Sequence, residues 1–370
     1  MPQLPQSFNI AEGSMTKKNE THYTYTAPVL ILLTTVWLLI RSDVAEAAAL
    51  DALKMCATVI IPSLFPYMVI SSMIVSTGTA DSIGRRISGL TGAVFRLPGC
   101  TGGAVILGAL CGFPVGAKTA CELYERNAIS RRECERLIAI ANNTGPSFVI
   151  EVVGAHFWGS RGMGLTIYIA QILSAILIGW IASGKEKFTT LTRHNQTSNC
   201  DMLQCLAQSI THSARSVISV CGFIVFFAVI TTLIGQLLSG GHLSFAVPIA
   251  GVVLEFSTGT SSAANQGGIA GAFLTGFAVG WSGISVFAQC KVFTVKHGVS
   301  LRFAAICKAI QGLMTGLAAS VYYALWFTPS ATASTVIPPS DPSFFMIAGE
   351  FLFLAVAAME IPRRSTRFAP

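Results

Sequence analysis

The chain has 370 residues, of which 52% are hydrophobic and only 11% are charged. A soluble domain carries about 25% charged residues because its surface faces water. This composition excludes a soluble globular protein and predicts an integral membrane protein whose main partner is the lipid bilayer. The net charge of +7 is distributed among loops, so we expect no nucleic-acid partner.

The reactive residue types form no catalytic or metal-binding motif. Ten cysteines and six histidines are scattered without a CxxC pair or an HExxH sequence, and most of the cysteines lie in apolar segments, where cysteine usually packs as a small apolar residue. Paired catalytic carboxylates and a Gly-rich nucleotide loop are also missing from the sequence. We therefore predict that the protein is not an enzyme and has no catalytic residue, no metal and no cofactor.

The apolar runs divide the chain into consecutive segments. In chain order we predict a polar N-terminal tail (1–26), a first span with a connecting amphipathic segment (27–56), repeat 1 (57–183), a cytoplasmic linker (184–211), repeat 2 (212–327), and a last span with a basic C-terminal tail (328–370). Each repeat is expected to contain one re-entrant helical hairpin, at about 103–135 and about 247–277. Since about 20 apolar residues span a bilayer as a helix, the prediction is an all-α polytopic membrane protein with eight full spans.

The basic residues predict the orientation of these segments. When both termini are placed in the cytoplasm, the outer side receives only Arg41, Lys54 and Arg161 of the 24 Lys and Arg residues. This is a strong positive-inside bias. In this arrangement the first repeat begins outside and the second begins inside.

One apolar helix in each half opens with the same pattern. Thr144-Gly145-Pro146-Ser147, followed by Glu151, has the order hydroxyl, Gly, any residue, Ser, three apolar residues and a long polar side chain. Ser282-Gly283-Ile284-Ser285, followed by Gln289, repeats this order. In each half a span and the hairpin precede the patterned helix. We therefore predict inverted repeats, which are typical of secondary transporters with a substrate site at the repeat interface.

Breaks in apolar helices indicate where that site lies. The sequence predicts breaks at Gly112–Lys118, Asn142–Ser147, Ser257–Ser262 and Trp281–Gly283, with Thr144 and Ser282 as N-caps. Broken helices are tolerated in lipid only where the freed backbone groups line a cavity or are buried in protein. We interpret the breaks together as a substrate site. The alternative is that they are kinks and helix-packing glycines, which membrane helices use widely.

The chemistry of the breaks suits a small anion. A helix N-terminus inside the membrane presents free N–H groups and a positive dipole end, and a nearby lysine adds a full positive charge. The predicted substrate-binding residues are Phe113, Pro114, Gly116, Lys118, Asn142, Asn143, Thr144, Gly145, Ser147, Ser257, Thr258, Ser282, Ser285 and Gln289.

Two carboxylates lie inside apolar segments. An ionisable side chain at the centre of a span costs roughly 2.5–3.5 kcal/mol on insertion scales, so it needs a reason to be there. Glu151 and Glu255 are therefore predicted to couple transport to a proton or a sodium ion. The alternative is that each pairs with a basic residue such as Lys118 or Lys291.

Several motifs resemble those of a known family. Pro62-Ser63-Leu64-Phe65-Pro66, Gly112–Lys118 and Asn142–Phe148 are similar to the YlbJ family of sporulation integral membrane proteins, and the resemblance covers roughly residues 50–324. That family belongs to the nucleoside-recognition "gate" domain superfamily, which implies a fold like that of concentrative nucleoside transporters. The resemblance also implies passage of dipicolinate across the outer forespore membrane of a bacterial cell.

Three functions are left open at this point. The first is a carrier of a small organic anion, with dipicolinate as the expected substrate, working by alternating access. The second is a carrier of a nucleoside or related heterocycle, which would use the amides and hydroxyls without Lys118. The third is a non-transporting membrane gate or scaffold subunit, and a homo-oligomer is compatible with all of them.

Overall fold

The computed structural model describes residues 20–77, 79, 86–183, 201–239 and 246–327. Within these ranges the chain is built from helices and contains no strand, so the predicted all-α class is confirmed. The predicted last span and basic tail (328–370), and most of the predicted N-terminal tail, lie outside the described residues. The helices are α1 (Glu20–Ile40), α2 (Ser42–Met55), α3 (Ile61–Ser76), α4 (Gly102–Cys111), α5 (Val115–Glu125), α6 (Arg131–Ala141), α7 (Phe148–Phe157), α8 (Arg161–Ala182), α9 (Met202–Ser239), α10 (Ala246–Leu254), α11 (Phe256–Gln266), α12 (Gly268–Trp281), α13 (Gly283–Thr294) and α14 (Arg302–Trp326).

Some of these helices are long and apolar enough to cross a membrane. Within the described ranges four segments meet that requirement by length and composition, and they lie at 161–182, 202–238, 268–297 and 302–326. A fifth is formed if α1 and the helix that follows it, which meet at an angle of 93°, are one broken span. A membrane protein is therefore supported. The predicted number of eight spans stays a prediction.

On α8 and α14 the exposed side chains are apolar and several of the buried ones are polar. Large apolar side chains form an exposed stripe along each helix: Leu165, Ile169, Leu173, Ile176 and Trp180 on α8, and Ile306, Ile310, Leu313, Leu317, Val321 and Leu325 on α14. The buried faces of the same helices carry polar side chains: Gln171 and Ser174 on α8, and Lys308, Gln311 and Thr315 on α14. In a span, polar groups face the interior of the bundle and apolar groups face lipid. The two helices are thus suited to a bilayer and enclose a polar centre.

Four interruptions of the helices position the site. The 112 break (Gly112–Pro114) separates α4 from α5, and the 142 break (Asn142–Gly145) separates α6 from α7. The 255 break (Glu255) separates α10 from α11, and the 282 break (Ser282) separates α12 from α13.

The breaks are packed together in pairs. Gly112 has φ 76°, and a Cβ added there would lie 2.7 Å from the backbone nitrogen of Gly145. Gly283, directly after the 282 break, has φ 80°, and a Cβ there would lie 2.9 Å from the backbone nitrogen of Phe256. The 112 break therefore abuts the 142 break, and the 255 break abuts the start of α13. Only a glycine allows both the backbone conformation and the close approach.

Several predicted boundaries differ from the structure. The predicted break at Ser257–Ser262 is wrong, because these residues are helical within α11 and the interruption is the single residue Glu255. In the first half the break ends at Pro114, so Lys118 lies in the first turn of α5. Helix α9 begins at Met202, inside the predicted linker of residues 184–211.

Neither predicted N-cap supplies a side-chain capping bond, although Ser282 does lie at the N-cap position of α13. An N-cap side chain accepts from a backbone N–H of its own helix. The Thr144 hydroxyl instead donates to the carbonyl oxygen of Val279. Ser282 has φ 74°, a left-handed conformation, and makes no side-chain capping bond. The side chain that does cap a helix at a break is Glu255, which accepts from the backbone N–H of Thr258 at 2.7 Å.

Helix α7 is a π-helix over its whole length, from Phe148 to Phe157. Shorter π-helical segments occur at Cys56–Ile60 and Thr91–Phe95. Such wide turns usually appear as single-turn bulges, often at functional sites. The π-helix directly after the 142 break therefore indicates a functional site in this part of the fold.

Candidate functional site

A glutamine on α8 holds the backbone of the 142 break. Gln171 accepts from the backbone N–H of Thr144 at 3.2 Å and donates to the Thr144 carbonyl oxygen at 2.9 Å. The side chain of Thr144 in turn reaches Val279 on α12 at 3.2 Å. Since buried backbone groups must be paired, Gln171 supplies the bonds that the interrupted helix cannot supply itself. One residue of the break is thereby attached to both halves of the protein.

The adjacent residue joins a second part of the same network. The side-chain oxygen of Asn143 accepts from the Lys308 ammonium at 2.9 Å and from the Gln311 amide at 3.0 Å. Gln311 also accepts from Lys308 at 2.8 Å and donates to the backbone carbonyl oxygen of Gln171 at 2.8 Å. The bonds therefore run continuously from the 142 break through α8 to α14.

Gln171, Lys308 and Gln311 were not among the predicted site residues. The positive-inside pattern places Lys308 among the cytoplasmic basic residues because it lies close to the start of an apolar segment. The sequence does carry a signal for it. Lys308, Gln311 and Thr315 are spaced by three and four residues, which places them on one helical face, while apolar residues occupy the opposite face. A polar stripe on an otherwise apolar span indicates a buried polar centre.

The 282 break and α13 together carry a row of polar side chains that lack partners. Ser282, Ser285 and Gln289 recur at intervals of three and four residues and are all buried. The two hydroxyl oxygens and the Gln289 carbonyl oxygen have no hydrogen-bond partner among the described residues. A buried polar group without a partner costs roughly 1–3 kcal/mol, so such groups in a native protein need an explanation.

Asn142 extends this row to the first half of the chain. Its amide nitrogen lies 3.3 Å from the sulfur of Cys290, the residue after Gln289, and its side-chain oxygen has no partner among the described residues. We call Asn142, Ser282, Ser285 and Gln289 the polar row. All of its members were predicted from the sequence, and contacts between the 142 break and α12–α13 bring the two halves together there.

Aromatic rings lie where the paired breaks approach each other. The ring of Phe256, at the start of α11, is 5.2 Å from that of Phe113 and 4.8 Å from that of Phe148. Phe113 follows Gly112, and Phe148 opens α7, so these rings connect three breaks. They supply an apolar contact between the two halves next to the polar groups.

Lys118 belongs to a different cluster. Its ammonium lies 3.1 Å from His212 Nδ1 on α9 and 3.8 Å from a carboxylate oxygen of Glu122. It has no hydrogen bond to the polar row. Gly116, two residues earlier, lies where a Cβ would collide with the carbonyl oxygen of Ala141. Gly116 thus allows α5 and α6 to pack closely, as the helix-packing alternative expects.

The two carboxylates predicted for ion coupling differ in their surroundings. Glu151 on α7 pairs with the guanidinium of Arg161 at 3.2 Å, as the alternative of pairing with a basic residue expects, although the partner is neither Lys118 nor Lys291. Its second carboxylate oxygen is buried and has no partner among the described residues. Glu255 is 1% exposed and accepts from both the backbone N–H and the hydroxyl of Thr258, the latter at 3.0 Å. Its contacts are those of a helix cap.

The remaining predicted residues lie at the edges of the breaks. Pro114 ends the 112 break, and its carbonyl oxygen accepts from the backbone N–H of Lys118 at 3.0 Å. The Gly145 carbonyl oxygen accepts from Val149 at 3.2 Å and begins the hydrogen bonds of α7. Ser147 is half-buried beside it, and Ser257 is buried in α11. Within the described ranges no three His, Cys, Asp or Glu side chains come together as a metal site requires.

Comparison with known proteins yields one informative similarity. No family model matches the sequence, and no solved structure matches it. The chain is 25% identical over 323 residues to the "Sporulation integral membrane protein YlbJ" of Bacillus subtilis (strain 168), a match that covers 77% of this chain and 78% of that protein. Together with the apolar helices, this similarity supports an integral membrane protein. It also confirms the resemblance predicted from the sequence motifs and supports membership of this chain in the YlbJ family.

Proposed function

We propose that this protein is a membrane carrier for a small organic anion and that it works by alternating access. The observation that carries the proposal is the polar row, in which buried oxygens from both halves lack partners next to paired helix breaks. Hydroxyl groups of Ser282 and Ser285 are able to donate to a carboxylate. A few convergent polar groups in an otherwise apolar setting are the usual composition of a small-molecule site.

Dipicolinate is the substrate that we expect. The relative bears the name of a sporulation membrane protein, and dipicolinate is a small planar dianion that fits hydroxyl donors, amides and a nearby positive charge. For a family member with this role, the outer forespore membrane of a bacterial cell is the proposed location. Lys118 stays a predicted source of the positive charge, although its contacts go to His212 and Glu122.

The order of the helices supports the proposed inverted repeat. The elements from α4 to α8 and from α10 to α14 follow the same order: a short helix, a break, a short helix, a turn, a further helix, a break, a short helix, a turn and a long helix. In each set the first break abuts the second. Repeats of this kind with broken helices provide the two interchangeable arrangements that alternating access needs. The basic residues favour opposite orientations, with both termini in the cytoplasm.

Coupling to a proton or a sodium ion is part of the proposal. Glu151 is the stronger candidate because one of its carboxylate oxygens is buried without a partner, whereas Glu255 is occupied as a cap. The Glu151–Arg161 pair lies near the turn between α7 and α8. A change in the protonation of Glu151 would therefore act on α7, the helix that follows the 142 break.

A second candidate function is a carrier for nucleosides or related heterocycles. The unpartnered atoms of Asn142 and Gln289 are carbonyl oxygens, and these accept from the N–H groups of a heterocycle. An amide rotated by half a turn would present N–H groups, which suit an anion. Binding measurements with both ligand classes distinguish the two functions.

Binding to the purified protein in detergent tests the proposal. We expect dipicolinate at a hundred times its dissociation constant to stabilise the fold by about 2.7 kcal/mol, measured as a thermal shift beside uridine and adenosine. Ser285→Ala should reduce the shift because it removes a hydroxyl of the polar row. Ser320→Ala is the matched control, since that hydroxyl only bonds the Gly316 carbonyl oxygen of its own helix.

The outcomes separate the three functions. A shift with dipicolinate that is reduced in Ser285→Ala and retained in Ser320→Ala supports the anion carrier. A shift with nucleosides alone supports the heterocycle carrier. No shift with any of these ligands contradicts both carriers and favours the gate or scaffold subunit.

A further inference from the structure

Lys308 is an almost completely buried lysine. The side chain lies in α14, two turns from the helix start, and only 2% of the residue is exposed. Its ammonium donates to Asn143 at 2.9 Å and to Gln311 at 2.8 Å. Both acceptors are neutral amide oxygens, so these two hydrogen bonds do not neutralise the charge of an ammonium.

No carboxylate compensates for this charge within the part of the chain that the structure describes. The ion pairs there involve other basic residues. Lys118, the other buried lysine, has Glu122 at 3.8 Å. An ionised group taken out of water costs several kcal/mol unless a partner of opposite charge offsets it. A membrane interior makes that cost harder to avoid.

The surrounding amides accept only two of the three hydrogen bonds that the Lys308 ammonium is able to donate. Asn143 accepts from both Lys308 and Gln311, and Gln311 uses its amide nitrogen for Asn143 and for the Gln171 carbonyl oxygen. An ammonium has three donors, and two of them are used by these contacts. The third is available to a ligand.

Lys308 and the polar row are connected through consecutive residues of the 142 break. Asn143 holds the ammonium, and the preceding residue, Asn142, belongs to the polar row and has an unpartnered oxygen. Asn143 and Asn142 are consecutive residues of the 142 break. A ligand bound at this break would therefore meet the enclosed charge and the unpartnered polar groups together.

We propose that the Lys308 ammonium binds a carboxylate of the transported anion, with Asn143 and Gln311 holding it in position. This inference rests on the proposed function and assigns the positive charge of the same site to Lys308 rather than to Lys118. A carboxylate would supply the missing negative charge and accept the third hydrogen bond. Charge-assisted hydrogen bonds of this type are shorter and stronger than those between neutral groups.

The test compares planar aromatic ligands that carry two, one or no carboxylate charges. Dipicolinate, benzoate and the neutral pyridine-2,6-dicarboxamide are titrated against wild-type protein, Lys308→Met and Lys308→Gln, with dissociation constants measured in detergent. Lys308→Gln keeps a donor for Asn143 if Lys308→Met fails to fold. Lys291→Met is the matched control, because it removes an equal charge from an exposed position on α13.

We expect both Lys308 variants to bind dipicolinate about 10-fold to 100-fold more weakly than the wild type, since a hydrogen bond to a charged group contributes about 1.5–3 kcal/mol. Lys291→Met should bind as the wild type does, and affinity for the neutral diamide should be unchanged in every variant. In the wild type alone, dipicolinate should bind more tightly than the diamide.

Failure of this inference is distinguishable from failure of the proposed substrate. Unchanged carboxylate affinity in the Lys308 variants, no preference of the wild type for dipicolinate over the diamide, or no binding of either carboxylate to the wild type overturns the role of Lys308. If benzoate binding depends on Lys308 while dipicolinate does not bind, the anion site stands and dipicolinate is excluded as substrate.

Discussion

Two glycines set the geometry of the paired breaks. Gly112 has φ 76° and ψ −173°, a region of backbone space that is essentially restricted to glycine. Its missing side chain also leaves room for the backbone of Gly145. Gly283 combines a φ of 80° with an equally close approach to Phe256. At each pair of breaks, therefore, one glycine decides whether the two interruptions are able to meet.

Gly112→Ala should destabilise the protein by roughly 1–3 kcal/mol from backbone strain, and the collision with Gly145 adds to this. The measurement is the thermal unfolding midpoint in detergent, followed by an intrinsic fluorescence signal. Gly222→Ala on α9 is the control, because a Cβ there meets nothing within 4 Å. Equal midpoints for the two variants would mean that the 112 and 142 breaks do not abut in the folded protein.

At the scale of elements, α8 holds the 142 break in place through Gln171, and we call the two hydrogen bonds between Gln171 and the backbone of Thr144 the clamp. Gln171 is the residue that pairs both backbone groups of Thr144 and, through its own carbonyl oxygen, receives Gln311 from α14. The clamp fixes the interrupted segment against a span whose opposite face is apolar and exposed. A mobile break in this position would not keep Asn142 and Asn143 in a defined geometry.

Gln171→Leu should lower the free energy of unfolding by about 1–3 kcal/mol for each backbone group of Thr144 left without a partner. The affinity for a ligand at the 142 break should fall as well. Ser174→Ala, one turn along the same helix, is the control because the Ser174 hydroxyl bonds only carbonyl oxygens of α8. Unfolding midpoints and dipicolinate affinities are compared. A Gln171→Leu protein as stable as Ser174→Ala, with wild-type affinity, would show that the clamp is unimportant.

The sequence predicts the breaks of the first half better than those of the second. Gly112, Pro114 and Gly145 are helix breakers with a direct backbone reason to interrupt a helix. The hydroxyl-rich stretch Ser257–Ser262 was expected to do the same, yet it is helical. Serine and threonine in a helix often bond a carbonyl oxygen of the preceding turn, as Thr260 does with Ser257 at 2.9 Å, and Glu255 caps the helix start.

The polar row was predictable because its residues recur at helical spacing, at matching positions of a repeated pattern. Lys308 was not identified because basic residues near the end of a span are usually assigned to the cytoplasmic surface. Burial is decided by packing: α14 lies against α12 through small residues such as Gly312 and Gly316 and also contacts α8, and this turns its polar face inward. A single sequence carries no direct record of that packing.

At the scale of the whole molecule, the spans expose apolar side chains while a group of amide side chains and Lys308 is buried beside the apolar core. Buried ionisable groups are costly in a membrane protein and usually mark a functional site. The network from Thr144 to Gln311, the polar row and the uncompensated Lys308 are all located where the two halves meet. The account therefore predicts that a ligand binds between the halves and crosses the membrane as they rearrange.

Uptake of radiolabelled dipicolinate into proteoliposomes is the measurement that tests this claim most directly. With a proton or a sodium gradient imposed in separate experiments, we predict saturable uptake that unlabelled dipicolinate competes away and that Ser285→Ala reduces relative to Ser320→Ala. Protein-free liposomes give the background. Uptake no faster than this background under either gradient, from protein that is folded and inserted, would contradict the carrier that we propose.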